Sequence, residues 1–206
     1  MDSIAVVSEG EGLYSEKRSR FLGFAMPCNS EDEAQALIAK KRKKYWDARH
    51  AVYAYILPDG TARFSDDGEP HGTAGKPVLD VIKGGGVTGA LIVVIRYFGG
   101  TLLGTGGLVR AYGAAAAEAL DNCGKAKVTD GDEFSLKIGY GDYDKLLFLL
   151  KEYGAEIKDT AFEGNIKLSF AVRSDVADAC LKKISETFSS LTVPKFEKKT
   201  KIFEKI

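Results

Sequence analysis

Residues 134–173, FSLKIGYGDYDKLLFLLKEYGAEIKDTAFEGNIKLSFAVR, switch hydrophobic period twice within forty positions. Phe134, Leu136 and Ile138 alternate with polar residues, the two-residue period of a half-buried strand. Tyr143, Leu146, Leu147, Leu150 and Tyr153 then recur at helical spacing, with Asp142 placed to cap the helix and Gly154 to end it. Ala155–Phe162 and Asn165–Arg173 return to the strand period on either side of Gly164. Further on, Ser174 is placed to cap a second helix with Val176, Cys180, Ile184 and Phe188 on one face, and Phe196–Phe203 reads as a last strand. The order βαββαβ predicts a ferredoxin-like sandwich over residues 130–206.

Upstream, Asp121–Asp132 (DNCGKAKVTDGD) is polar and follows an alanine-rich run. It reads as a helix end, a connecting segment and a domain boundary, leaving residues 1–124 as a first domain. That half is also mixed. Phe21–Pro27 reads as a strand. Ser30 with Glu33 forms a capping box ahead of Ala34, Leu37 and Ile38, so a helix is expected to about Tyr45. Ala51–Leu57 is a strand closed by Pro58-Asp59-Gly60, Gly89–Phe98 is the most apolar strand, and Gly106–Leu120 is a helix. The small residues of that helix allow it to approach a sheet closely. The fold class expected is α+β.

Composition narrows the function classes. In 206 residues, 29 basic side chains balance 29 acidic ones and 45% of residues are hydrophobic. These are globular proportions, and they exclude a globally basic nucleic-acid binder while leaving room for a local patch. No apolar run reaches eighteen residues, so neither a membrane span nor a membrane partner is expected. The start, MDSIAVVSEGEG, lacks a basic segment followed by an apolar block, so no secretory leader is expected. Cys28, Cys123 and Cys180 are odd in number and scattered, which points to a reducing cytoplasm without disulfides.

Two segments carry chemical information. In Ser65–Pro77, SDDGEPHGTAGKP, Asp66, Asp67, Glu69 and His71 lie close together. Such groups can hold Mg²⁺ or run acid–base chemistry. They also suit an ordered turn, in which Gly68, Gly72 and Gly75 take positive φ and Pro77 starts a helix. In Arg96–Tyr112, RYFGGTLLGTGGLVRAY, a strand runs through Gly99, Gly100, Gly104, Gly106 and Gly107 into a helix. A helix N-terminus can seat a phosphate, with Arg96 and Arg110 flanking it and Tyr97, Phe98 or Tyr112 stacking on a base. The same glycines also suit a connection packed too tightly for any side chain. Gly104 and Gly106 are expected to be critical for the backbone. The basic run Lys40–Lys44 (KKRKK) wraps around its helix, so its five residues cannot all face one ligand.

Together the two segments resemble the signature of the YigZ/IMPACT family. Arg20-Phe21 and Arg49-His50-Ala51-Val52-Tyr53-Ala54-Tyr55 match as well. The resemblance implies an N-terminal α/β domain of the ribosomal protein S5 domain 2-like type, followed by a ferredoxin-like βαββαβ domain. Both domain types occur in translation factors. The function expected is therefore a non-catalytic cytoplasmic protein that binds RNA or the ribosome and modulates translation. An enzyme acting on a phosphorylated or nucleotide substrate at the glycine loop is the alternative, with Asp66, Asp67, Glu69 and His71 as its metal or acid–base groups. A protein-interaction module is the third. The residues expected at a phosphate or nucleic-acid site are Arg49, His50, Arg96, Gly99, Gly100, Gly104, Gly106, Gly107 and Arg110. Beside them lies the motif loop of Asp66, Asp67, Gly68, Glu69, Gly72, Thr73 and Gly75. Under the non-catalytic reading no cofactor, resident metal or catalytic residue is expected.

Overall fold

The computed structural model describes residues 3–188 and 193–206; the remaining residues of the expected domain spans lie outside the described residues. The chain divides into two compact units, Ser3–Ala126 with residues 205–206, and Lys127–Glu204.

The elements of the first unit are β1 (Ser3–Ser8), β2 (Gly10–Glu16), β3 (Ser19–Pro27), α1 (Glu31–Lys44), β4 (His50–Ile56), β5 (Ala62–Ser65), α2 (Gly75–Gly84), β6 (Val87–Thr88), β7 (Ala90–Tyr97) and α3 (Gly104–Asp121). Five strands form an antiparallel sheet in the order β2-β3-β7-β4-β5, and β1 pairs in parallel with β6. The apolar strand β7 is central, as its sequence suggests. Leu91, Val93 and Ile95 join a cluster with Ala34 and Ile38 of α1, while Ala90, Ile92 and Val94 join one with α2 and α3. Burial on both faces explains why this strand is apolar throughout rather than alternating. The same alternation carries Arg96 to the α2–α3 face.

The first helix starts as the capping box requires, with Ser30 Oγ accepting the Glu33 N–H. The return bond from the Glu33 carboxylate is to the Asn29 N–H, one residue earlier than the standard box.

Helix α3 lies against β2 and β3 closely enough that glycine alone fits beneath it. A Cβ on Gly23 would stand 2.3 Å from the Ala115 carbonyl oxygen, and one on Gly12 would stand 2.5 Å from the Ala119 nitrogen. Ala111, Ala115 and Ala119 supply the small face of the helix, and all three are fully buried. The alanine-rich helix is legible in the sequence. Its glycine partner stripe is not, because β2 reads GEGLYSE, a poor strand by propensity.

In the second unit β8 (Gly124–Ile138), α4 (Tyr143–Glu152), β9 (Glu156–Phe162), β10 (Ile166–Arg173), α5 (Ala177–Thr187) and β11 (Lys195–Lys205) follow the expected βαββαβ order. The strand order β11-β8-β10-β9 is that of a ferredoxin-like sheet. Phe134, Leu136 and Ile138 pack with Leu146, Leu150, Leu168, Phe170 and Ile184. The mixed α+β class and the ferredoxin-like C-terminal part thus hold.

Four local expectations change. Asp142 stands at the cap position of α4, but its side chain makes no capping hydrogen bond there. Asp121–Asp132 is a strand from Gly124 onward, not a connecting segment, because its polar residues are taken up by a partner strand. Lys199 pairs with Asp132 at 2.5 Å and Lys201 with Asp130 at 2.6 Å. Ser174 does not cap α5, whose cap position is Val176; the Ser174 hydroxyl is buried instead. Helix α2 begins at Gly75 rather than at Pro77, whose missing N–H costs nothing in a first turn.

The three cysteines are free and buried, and burial pushes the Cys28 and Cys180 thiols up to about 11. Among the described residues no helix is long and apolar enough to cross a membrane.

Candidate functional site

The motif loop leaves β5 through a tight turn closed by the Glu69 N–H donating to the Asp66 carbonyl. Both central residues have left-handed φ, +46° at Asp67 and +85° at Gly68. That is the geometry for which Asp-Gly is suited. The two aspartates then act as structural acceptors. Asp66 receives the N–H groups of Gly72 (2.8 Å), Gly75 (2.8 Å) and Ala74 (3.1 Å), capping α2 from a distance. Burial pushes its carboxyl upward, but these bonds and the nearby His71 outweigh it and hold the pKa below the ordinary value. The Asp67 carboxylate accepts the Ala51 N–H at 2.7 Å and pairs with Arg42. The Thr73 hydroxyl donates to the Pro70 carbonyl at 2.6 Å. A Cβ on Gly75 would meet the Ser65 backbone at 2.7 Å. The ordered-turn reading therefore describes Asp66, Asp67, Gly68, Gly72 and Thr73, whereas Gly75, expected at positive φ, opens α2 without it, and its close approach to Ser65 is what requires glycine there. Among the described residues no three His, Cys, Asp or Glu side chains converge to hold a metal.

The turn delivers Glu69 to a different role. Its carboxylate lies under the sheet, where Oε1 pairs with Arg96 and accepts the Tyr112 hydroxyl at 2.8 Å. Tyr112 is fully buried against Phe21, and desolvation with the Glu69 charge drives its pKa far above the ordinary value. The His50 ring completes the group. Its Nδ1 stands 2.7 Å from the Asp67 carbonyl, which can only accept, so Nδ1 carries the proton. Nε2 is thereby turned toward Glu69, 3.7 Å away.

Above this floor opens a cleft of about 400 Å³. Arg49, His50 and Arg96 line one side and Gly68, Glu69 and Pro70 another. Phe98, Leu102, Leu103 and the first turn of α3 at Gly104 and Thr105 also line it. That helix is 18 residues long, with no side-chain cap and no acid in its first turn, so its open N–H groups and partial positive charge face the cleft. Arg49 is exposed, lies 5.6 Å from the Phe98 ring, and makes no ion pair among the described residues.

The structure thus brings Arg49, His50, Arg96 and Gly104 together with Gly68 and Glu69, and leaves the other glycines and Arg110 outside. Arg96 is not an open cation, being committed to Glu69. Arg110 is exposed and faces Glu16 at 3.9 Å. Gly99 packs on the Arg18–Ser19 backbone, and Gly107 on Leu103. Gly100 has φ +85° in open space, and Gly106 has neither positive φ nor a close neighbour within its own surroundings. Of the three aromatics expected to stack, Tyr112 is buried and the Tyr97 hydroxyl is bonded to Asp47, which leaves Phe98. The lining by Leu102, Leu103 and Thr105 was missed, since nothing in a glycine-rich run marks which intervening residues face inward.

The basic run splits as its helical wrapping requires. Lys41 turns inward to Glu9 and the Phe24 ring, and Arg42 pairs with Asp67. Lys40, Lys43 and Lys44 stay exposed.

Comparison with known proteins agrees with this layout. The Impact N-terminal domain matches residues 17–120, and a domain of unknown function, DUF1949, matches residues 136–190. An IMPACT family member of Thermus thermophilus is 39% identical over 173 residues, covering 82% of this chain and 93% of that protein. IMPACT family member YigZ of Escherichia coli is 37% identical over 160 residues, covering 76% and 78%. A crystal structure of a hypothetical protein matches with a TM-score of 0.64 at 30% identity, covering 96% of this chain and 98% of the other.

Proposed function

Because the chain belongs to the IMPACT family, we propose that it is a non-catalytic cytoplasmic protein that binds RNA and so modulates translation, a nucleotide phosphate sitting in the cleft at the α3 N-terminus. Arg49 carries this reading. It is the cleft's uncompensated cation, set beside open helix N–H groups and a stacking ring. That combination suits a phosphate with its base. The acidic loop argues against chemistry: its two aspartates are consumed by backbone N–H groups and Arg42, and the third acid by Arg96 and Tyr112. On the terminal strand Lys198, Lys199 and Lys201 are matched by Glu133, Asp132 and Asp130, so these three do not form an open basic surface.

One observation favours a second reading. A cleft of about 400 Å³ that joins the motif loop to Gly104 is large enough for a mononucleotide or a phosphorylated metabolite. Binding of a uridine decamer across a salt series separates the two. Two or three phosphates at the site give a log–log slope of roughly −1.4 to −2, and Arg49→Ala flattens it by about 0.7. Binding of uridine monophosphate with no decamer binding at low salt overturns the RNA reading in favour of the second.

A further inference from the structure

We propose that Trp46 is a base-stacking platform along which single-stranded RNA leaves the cleft, Arg49 holding the phosphate between the two positions. The inference rests on the RNA reading of the cleft.

Trp46 is the chain's one tryptophan and is 83% exposed. Its exposure is built in. Tyr45, the residue before it, stacks on Phe24 with ring centroids 5.4 Å apart, and Asp47, the residue after it, accepts the Tyr97 hydroxyl at 2.9 Å. The Arg49 N–H then donates to the Arg96 carbonyl at 3.1 Å, tying the turn to β7. Anchored on both sides, the indole has no route into the core.

It borders a groove of about 200 Å³ with Arg42, Tyr45 and Arg49, whose wall also holds Asp67, paired with Arg42. Arg49 also lines the phosphate cleft, so the two depressions share a cationic wall. Residues 40–49, KKRKKYWDAR, hold six cations and one acid. Of these six, Lys41 is spent on Glu9 and Arg42 on Asp67, which leaves Lys40, Lys43, Lys44 and Arg49 exposed against the one carboxylate of Asp47. The indole therefore sits on a segment with an excess of exposed cations rather than within an apolar patch. A flat ring flanked by positive charge matches a base and its phosphates, whereas lysine, exposed on this segment at Lys40, Lys43 and Lys44, is depleted at protein–protein interfaces. Stacking on one ring reads no base edge, so the platform tolerates any sequence.

The test is titration of the full chain with a uridine decamer. Binding is measured by anisotropy of end-labelled RNA, and Trp46 emission is followed in parallel with unlabelled RNA. Emission should quench in step with binding. Trp46→Ala should weaken binding roughly five- to hundredfold, the range one base–aromatic stack supplies. Trp46→Phe should recover most of that loss. Because the side chain is exposed, the variants should melt as the parent does. Decamer binding with unchanged emission, or with full affinity in Trp46→Ala, overturns the platform and leaves the cleft reading standing. No decamer binding at low salt overturns both.

Discussion

Replacing Glu69 by Gln tests whether the floor of the cleft is an ion pair on which the fold depends. The Glu69 and Arg96 side chains are only 4% and 6% exposed. Gln keeps the shape and an oxygen that can accept from Tyr112, but it leaves the guanidinium as an uncompensated charge beneath the sheet. Arg96 Nε already has no hydrogen-bond partner, and beyond Glu69 the guanidinium meets, among the described residues, only the rings of Phe21 and Phe98, each 5.5 Å from its carbon, whose cation–π attraction is weaker than an ion pair. Removing one partner of a buried pair costs about 3–5 kcal/mol, and the retained acceptor puts the expectation near the lower end, about 3 kcal/mol. Arg96→Met removes the charge and keeps a side chain of similar reach. In that background Glu69 is itself the uncompensated charge, so Glu69→Gln should cost about 1 kcal/mol or less, giving a coupling of at least about 2 kcal/mol. Urea titration followed by circular dichroism measures the four stabilities, with β7 amide resonances assigning the transition to the N-terminal unit. A loss below about 1 kcal/mol for Glu69→Gln, or an equal loss in both backgrounds, refutes the argument.

Two neighbouring glycines should behave differently. Gly104 has φ +73°, so Gly104→Ala should cost about 1–2 kcal/mol, whereas Gly106, without positive φ, should gain about 0.5–1 kcal/mol on replacement by Ala within the helix. Thermal melts of both variants check the contrast. Asp66 makes stability depend on pH. Its folded pKa lies below the unfolded value, so its contribution is present above the unfolded pKa of about 3.9 and is lost as pH falls through the folded value. Asp66→Asn should cost about 1–2 kcal/mol near pH 7, because an amide nitrogen then faces an N–H donor, and the difference from the parent should shrink below about pH 4. A constant difference across urea titrations from pH 3 to 7 would contradict it.

The elements themselves were legible where periodicity is local. The β8–β11 order, the Ser30 cap and the buried β7 follow from residues within a turn or a strand of one another, because a helix or strand face is set by spacing along the chain. The ferredoxin-like expectation came from that periodicity, and the S5-like one from long motifs in the N-terminal half whose residues are consecutive. Strand β2 escaped because its glycines answer to Ala115 and Ala119, about a hundred positions away.

The site divides in the same way. The sequence alone singled out the glycine loop, the SDDGEP turn, Arg49 and His50. Folding is what commits the carboxylates of Asp66 and Asp67 to backbone N–H groups, sets Glu69 against Arg96, carries Arg110 to Glu16, and leaves Arg49 with an open charge beside Phe98 and Trp46. A residue type states what a group can bond to, whereas which partner it meets, and whether water is there to compete, depends on chain segments brought together by burial.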